Sequence, residues 1–178
     1  VYLDKLTATE NNLSTILNHS TVYPTSSQPD VKQIKLKLEW LLSMYDQIIV
    51  ITVAKALSGT HANFERAITE LNLEAGKVTL VDSKLNSGAQ GLVVLEAAKM
   101  ANKGEALDRI LARIVEAIPK TSIYVSLDTF KYAVKSGRVP NTLGKVMMFL
   151  NAKPIMSLDQ EGKGTALDRK STRLNSSH

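Results

Sequence analysis

The chain of 178 residues carries 22 Lys and Arg against 17 Asp and Glu, a formal net charge of +5. That length suits one domain, or one domain and part of another, and 44 % apolar with 22 % charged residues is an ordinary globular balance. There is no Cys, which excludes disulfides, thiolate metal sites and a Cys nucleophile, and no run approaches the roughly 20 apolar residues of a membrane-spanning helix.

Thr7-Ala8-Thr9-Glu10 has capping-box spacing, with Thr7 as N-cap and Glu10 reaching back, and predicts a short helix through Leu13, Ile16 and Leu17. Pro24-Thr25-Ser26-Ser27-Gln28-Pro29 breaks regular structure and reads as a loop. Asp30 can cap the next helix, where Val31, Ile34, Leu38, Leu41 and Leu42 form an apolar stripe opposite Lys32, Lys35 and Lys37. Residues 47–53, QIIVITV, are a β-branched run suited to a buried parallel strand. A turn at Leu57-Ser58-Gly59-Thr60 precedes a helix through Phe64, Ala67, Ile68 and Leu71. A second strand spans 77–81 and ends in Asp82-Ser83. After a polar loop, 91–100 reads as a helix rich in small residues, and a further helix uses Leu107, Ile110, Leu111, Ile114 and Val115, stopping before Pro119. Residues 122–127 read as a third strand terminated by Asp128-Thr129, 142–150 as a helix and 154–158 as a fourth strand. Strands alternating with helices predict an α/β fold: a parallel sheet covered by helices on both faces.

In such sheets ligands bind at the carboxyl ends of the strands, near helix N-termini. Hydroxyl and acidic residues cluster there, at Ser58-Gly59-Thr60, Asp82-Ser83 and Asp128-Thr129, with Thr25-Ser26-Ser27 as a further hydroxyl source. Hydroxyls and free helix N–H groups suit an oxyanion, either carboxylate or phosphate. The same residue types are the preferred N-caps, and for any single one of them capping is the favoured reading. Arg138, in Lys135-Ser136-Gly137-Arg138, is the best candidate for pairing with an anion, against the plainer reading of a surface arginine in a turn. No phosphate-binding GxxxxGK[ST], GxGxxG or GxSxG motif is present. His19 and His61 are the two His in the body of the chain, so neither a His-rich metal site nor a catalytic triad is expected.

Taken in order, PTSSQP at 24–29, ALSGTHANF at 56–64, VDSKLNSGAQGLVVLEAA at 81–98, SLDTFKYAVKSGRV at 126–139 and LNAKPIMSLD at 150–159 resemble the DegV family. Several motifs in one order are far more specific than any one alone. The resemblance implies a bacterial, cytoplasmic, two-domain α/β protein that binds a long-chain fatty acid. It acts as the acyl-binding subunit of fatty-acid kinase, whose separate kinase subunit phosphorylates the carboxylate to an acyl phosphate for phospholipid synthesis. On that basis the protein is not itself an enzyme, has no catalytic residue, metal or cofactor, and takes no nucleic acid. By the same resemblance Ser58 is the leading carboxylate contact and Ser26, in a family threonine position, the second. Thr25 and Ser27 flank Ser26, Gly59 and Thr60 complete the turn, and Arg138 matches the arginine of the family's GGR turn, with Ser136 replacing a glycine. The alternative is a small-molecule α/β enzyme acting on a phosphorylated substrate, with the same hydroxyls as its phosphate cradle.

The resemblance places 1–150 in an N-terminal α/β domain lacking its first strand and 151–167 at the start of a second domain. The chain opens at Val1 without Met, and both ends read as cut. The last eleven residues, DRKSTRLNSSH at 168–178, resemble a translated sequencing adapter and are expected to be a non-native tail. That tail holds three of the 22 basic and one of the 17 acidic residues, so the body carries 19 against 16, a net +3. So small an excess gives little support to nucleic-acid binding.

Overall fold

A computed structural model describes residues 8–19, 25–126 and 155–166. Its elements in chain order are α1 (Glu10–His19), α2 (Val31–Leu42), β1 (Ile48–Thr52), α3 (Thr60–Leu71), β2 (Val78–Asp82), α4 (Ser87–Asn102) and α5 (Leu107–Ala117). A single 3-10 turn (Ile118–Lys120) follows, then β3 (Val125–Ser126), β4 (Ile155–Leu158) and β5 (Gly164–Ala166). None of the described helices is long and apolar enough to cross a membrane.

β1 and β2 pair in parallel, Ile48 opposite Val78 through Thr52 opposite Asp82. Alternate side chains of a strand point to opposite faces, and each face has its own helical cover. Ile48, Val50 and Val78 pack under Ile34 and Leu38 of α2 and Ala67 of α3. Ile49, Ile51 and Val81 pack under Ala89, Val93 and Ala97 of α4 and Ile110 and Ile114 of α5. The expected α/β architecture, a parallel sheet between two helical layers, is therefore present, and it explains why apolar residues occupy both faces of the strands, Ile48 to Ile51 in β1 and Val78, Leu80 and Val81 in β2.

Local chemistry sets the helix ends. Asp30 caps α2, its carboxylate accepting from the Gln33 N–H at 2.8 Å. α5 gives way to the 3-10 turn at Pro119, which has no N–H to continue the ladder. α1 begins at Glu10, later than the Thr7 cap implied. Its entry is fastened by Asn12, whose Oδ1 accepts from the Thr9 N–H at 2.8 Å while the Thr9 carbonyl accepts from Leu13. That is the reciprocal half of a capping box shifted along the chain; Thr7 lies outside the described residues.

The strand at 122–127 departs from expectation. Among the described residues Val125 and Ser126 form β3, and they pair antiparallel with β4, which pairs antiparallel with β5. This second sheet is separate from β1–β2. Apolar Ile123, Val125 and Leu127 alternate with Ser122, Tyr124 and Ser126, the pattern of a half-exposed antiparallel strand rather than of a doubly covered parallel one. Between β4 and β5 there is room only for a short turn at 159–163, and a parallel crossover needs about a dozen residues. The predicted helix at 142–150 lies outside the described residues.

Glu70 joins the two helices of one layer, accepting from Lys35 of α2 at 3.2 Å and from Arg66 of α3 at 2.9 Å. Hydrogen bonds from Arg66 and then Lys35 hold its carboxyl below the ordinary range. A depressed folded-state value adds stability above the unfolded value, and that increment disappears as pH falls through the folded one. The site is solvent-exposed, so the increment is small. Glu70→Gln should lower stability slightly at neutral pH and not at all well below the carboxylate range, as denaturant titrations at both pH values would show.

Candidate functional site

Because β1 and β2 run in parallel, their carboxyl ends lie side by side, and the loops leaving them are bonded together. The Ala54 N–H donates to the Leu85 carbonyl at 2.8 Å, and the Ser83 N–H to the Thr52 carbonyl at 3.2 Å. One oxygen of Asp82 accepts from both loops, from Lys55 N–H at 3.2 Å and from Lys84 N–H at 3.0 Å. Ser83 is fully buried, and its hydroxyl donates to the Leu85 carbonyl and accepts from the Leu85 N–H. The Ser83 hydroxyl and that Asp82 oxygen therefore fasten backbone. Among the described residues, the second oxygen of Asp82 and the side-chain carbonyl of Asn86 are buried without a hydrogen-bond partner.

The turn after β1 presents the leading predicted contact. Ser58 Oγ lies 2.9 Å from Thr60 Oγ1 and accepts from the Thr60 N–H at 3.2 Å. Gly59 occupies the N-cap position of α3 and offers that end no side-chain bond. The positive end of a twelve-residue helix thus opens beside two hydroxyls.

The loop bearing Thr25, Ser26 and Ser27 comes to this same end of α3. Asn63 Nδ2 donates to the Pro29 carbonyl at 2.8 Å. The Gln28 amide lies over Gly59: a Cβ at position 59 would stand 2.6 Å from Gln28 Nε2. Only a residue without a side chain admits that approach. Thr25, Ser26 and Ser27 are exposed there. Spacing alone could not have singled out Gln28 and Asn63, since they act between segments that only the fold brings together. Gly59→Ala should displace the Gln28 amide with little loss of stability, because a flexible side-chain tip can move; it should weaken ligand binding more than it lowers the melting temperature.

His61 is held by contacts from both ring nitrogens. Its Nδ1 is 2.9 Å from the hydroxyl of buried Thr52, and its Nε2 is 3.5 Å from Glu65 Oε1. Thr52 has one weaker partner, the Val81 carbonyl at 3.4 Å. His61→Ala would strip Thr52 of its better partner, at about 1–3 kcal/mol of unfolding free energy by denaturant titration. Arg138 and Asp128-Thr129 lie outside the described residues. Among the described residues no group of three or more His, Asp or Glu could hold a metal.

The predicted loop at Ser87-Gly88-Ala89-Gln90 is instead the first turn of α4. Ser87 and Gly88 suggest a loop, but Ala89 is buried in the core and Gln90 Nε2 donates to the Ile51 carbonyl at 3.0 Å, so tertiary contacts override weak helix propensity. Beside β1 an apolar groove of about 370 Å³ is lined by Ile49, Ile51, Val94, Ala97 and Ile110, among others.

Known proteins resemble this chain in sequence and fold. Residues 1–177 match the family described as "Uncharacterised protein, DegV family". A DegV domain-containing protein of Streptococcus pneumoniae is 32 % identical over 177 residues, covering 96 % of this chain and 62 % of that protein. Another, from Clostridium acetobutylicum, is 30 % identical over 163 residues, covering 90 % of this chain and 56 % of its own length. The chain thus spans less than two thirds of these curated relatives. A solved structure concerned with fatty acid binding of a DegV family protein from Thermus thermophilus matches with a TM-score of 0.77 at 25 % identity, over 89 % of this chain and 55 % of that one. A stearic acid-binding protein from Eubacterium ventriosum shares the fold with a TM-score of 0.79 at 15 % identity, over 96 % of this chain and 60 % of that one.

Proposed function

The chain belongs to the DegV family, and from that premise we propose that it binds a long-chain fatty acid by its carboxylate at the Ser58–Thr60 turn. The observation that supports this reading is the meeting of the Ser58 and Thr60 hydroxyls at the N-terminus of α3, where Gln28 and Pro29, at the end of the loop that also bears Thr25, Ser26 and Ser27, make contact. A carboxylate leaving water needs several donors to offset its lost hydration. In this reading Ser58 is the first contact and Ser26 the second, with Thr25, Ser27, Gly59 and Thr60 completing the cradle and Arg138 adding a guanidinium. Burial of a tail of roughly 15 methylenes, at about 0.8 kcal/mol each, supplies affinity before the entropy of association is subtracted.

The protein does not turn over substrate itself. A separate kinase in the cytoplasm transfers the γ-phosphoryl group of ATP to a carboxylate oxygen, giving acyl phosphate and ADP. We assign residues 1–150 to the N-terminal domain and 151–167 to the start of the second. Displacement of a fluorescent fatty acid tests the binding claim: stearic acid should compete and inorganic phosphate should not. Competition by phosphate alone would favour an enzyme of phosphorylated substrates instead.

A further inference from the structure

The turn between β4 and β5 is built to press against the two bonded loops that leave β1 and β2, the first of which leads to the Ser58 turn. Asp159 organises it: one carboxylate oxygen accepts from the Glu161 N–H and the Lys163 N–H, both at 2.9 Å, and the Gly162 N–H donates to the Asp159 carbonyl at 3.0 Å. This arrangement puts Gly162 at φ +77° with its backbone buried against Ala54 and Lys84. A Cβ at 162 would stand 2.7 Å from Ala54 Cβ, 3.0 Å from the Lys84 carbonyl oxygen and 3.1 Å from Lys84 Cα. The last two are backbone atoms, so no side-chain rotation could relieve the clash. An ion pair of 3.7 Å between Lys84 and Glu161 flanks the contact.

Both contacted residues lie in the bonded loops at the strand ends. Ala54 is fully buried and opens the segment leading to Ser58, and its carbonyl accepts from the Leu57 N–H at 2.9 Å. Lys84 sits at φ +54°, a left-handed conformation that a non-glycine residue keeps only where its surroundings hold it. Two restraints act on it: the Asp82 carboxylate on its N–H and the hairpin tip on its carbonyl side.

We propose that Gly162 is a positioning residue for the ligand site: the hairpin tip of the second sheet clamps Ala54 and Lys84 and thereby holds the Ser58 turn in its binding geometry. This rests on the fatty-acid reading for its functional consequence, though the clamp itself is independent of any ligand. No substitution at 162 can satisfy both the positive φ and the close approach.

The test compares Gly162→Ala with Gly104→Ala in the full 178-residue chain. Gly104 has φ +74° and nothing within 4 Å of its absent Cβ, so it carries the same backbone strain without the contact. Both variants should lose thermal stability, Gly162→Ala the more because the clash adds to the backbone strain. Only Gly162→Ala should lose affinity for stearic acid, by about tenfold, and only it should speed hydrogen exchange at the amides of residues 54–60 in the ligand-free protein. Asp159→Ala, which unties the turn without adding a clash, should accelerate the same amides and serves if Gly162→Ala does not fold. Unchanged exchange at 54–60 in the hairpin variants, or an equal affinity loss in Gly104→Ala, would overturn the proposal. If the parent chain fails to bind stearic acid, the fatty-acid reading falls while the exchange measurement still decides the clamp.

Discussion

Ser58→Ala is expected to weaken binding of stearic acid by between about tenfold and a hundredfold, because a hydrogen bond to a charged partner is worth roughly 1.5–3 kcal/mol and about 1.4 kcal/mol is a factor of ten. The same hydroxyl accepts from the Thr60 N–H and meets the Thr60 hydroxyl, so part of the effect reaches the fold. That part is limited to roughly 1 kcal/mol, the ordinary value of a capping bond at a helix start. Ser58→Thr keeps the hydroxyl and should recover much of the affinity. Displacement of a fluorescent fatty acid, beside a denaturant titration of each variant, separates the two contributions. Equal affinity for parent and Ser58→Ala would remove Ser58 from the site.

The second large effect is on stability. Ile114 is 1 % exposed and sits at the centre of the cluster that joins α4 and α5 to the sheet. Truncating a buried Ile to Ala removes transfer free energy and leaves a cavity, about 2–5 kcal/mol in all. A domain stable by only about 5–15 kcal/mol loses a large share of its margin that way. Neighbouring Val115, expected in the apolar stripe but turned out to solvent at 68 % exposure, should cost no more than about 0.5 kcal/mol when cut to Ala. Urea titrations of the two variants check the contrast, and equal losses would mean that the helix is not seated as described.

Much of the first sheet and its cover was legible because local and global signals agree there. The β-branched runs at 48–52 and 78–82 suit strands buried on both faces, and Asp30 with Ile34 and Leu38 marks both the cap and the inward stripe of α2. Legibility failed where long-range contacts outrank local preference. Ser87 and Gly88 look like loop residues, yet Ala89 and Gln90 after them are held by the core and by the end of β1. The strand at 122–127 was assigned to the parallel sheet although its alternation favours an exposed antiparallel partner. At the site, the importance of Ser58, Gly59 and Thr60 came from the family resemblance, while Gln28, Asn63 and Gly162 became visible only through the distances that join separate segments. Asp82 and Ser83, read as possible ligand contacts from their position at a strand end, instead tie two loops together.

Native mass spectrometry of the chain after incubation with stearic acid tests the account most directly. The expected spectrum contains the protein with one added stearic acid, and that mass is lost on denaturation and reduced in Ser58→Ala. A protein that retains its unliganded mass at every ratio of stearic acid, while folded by the same spectrum's charge distribution, would contradict the central claim.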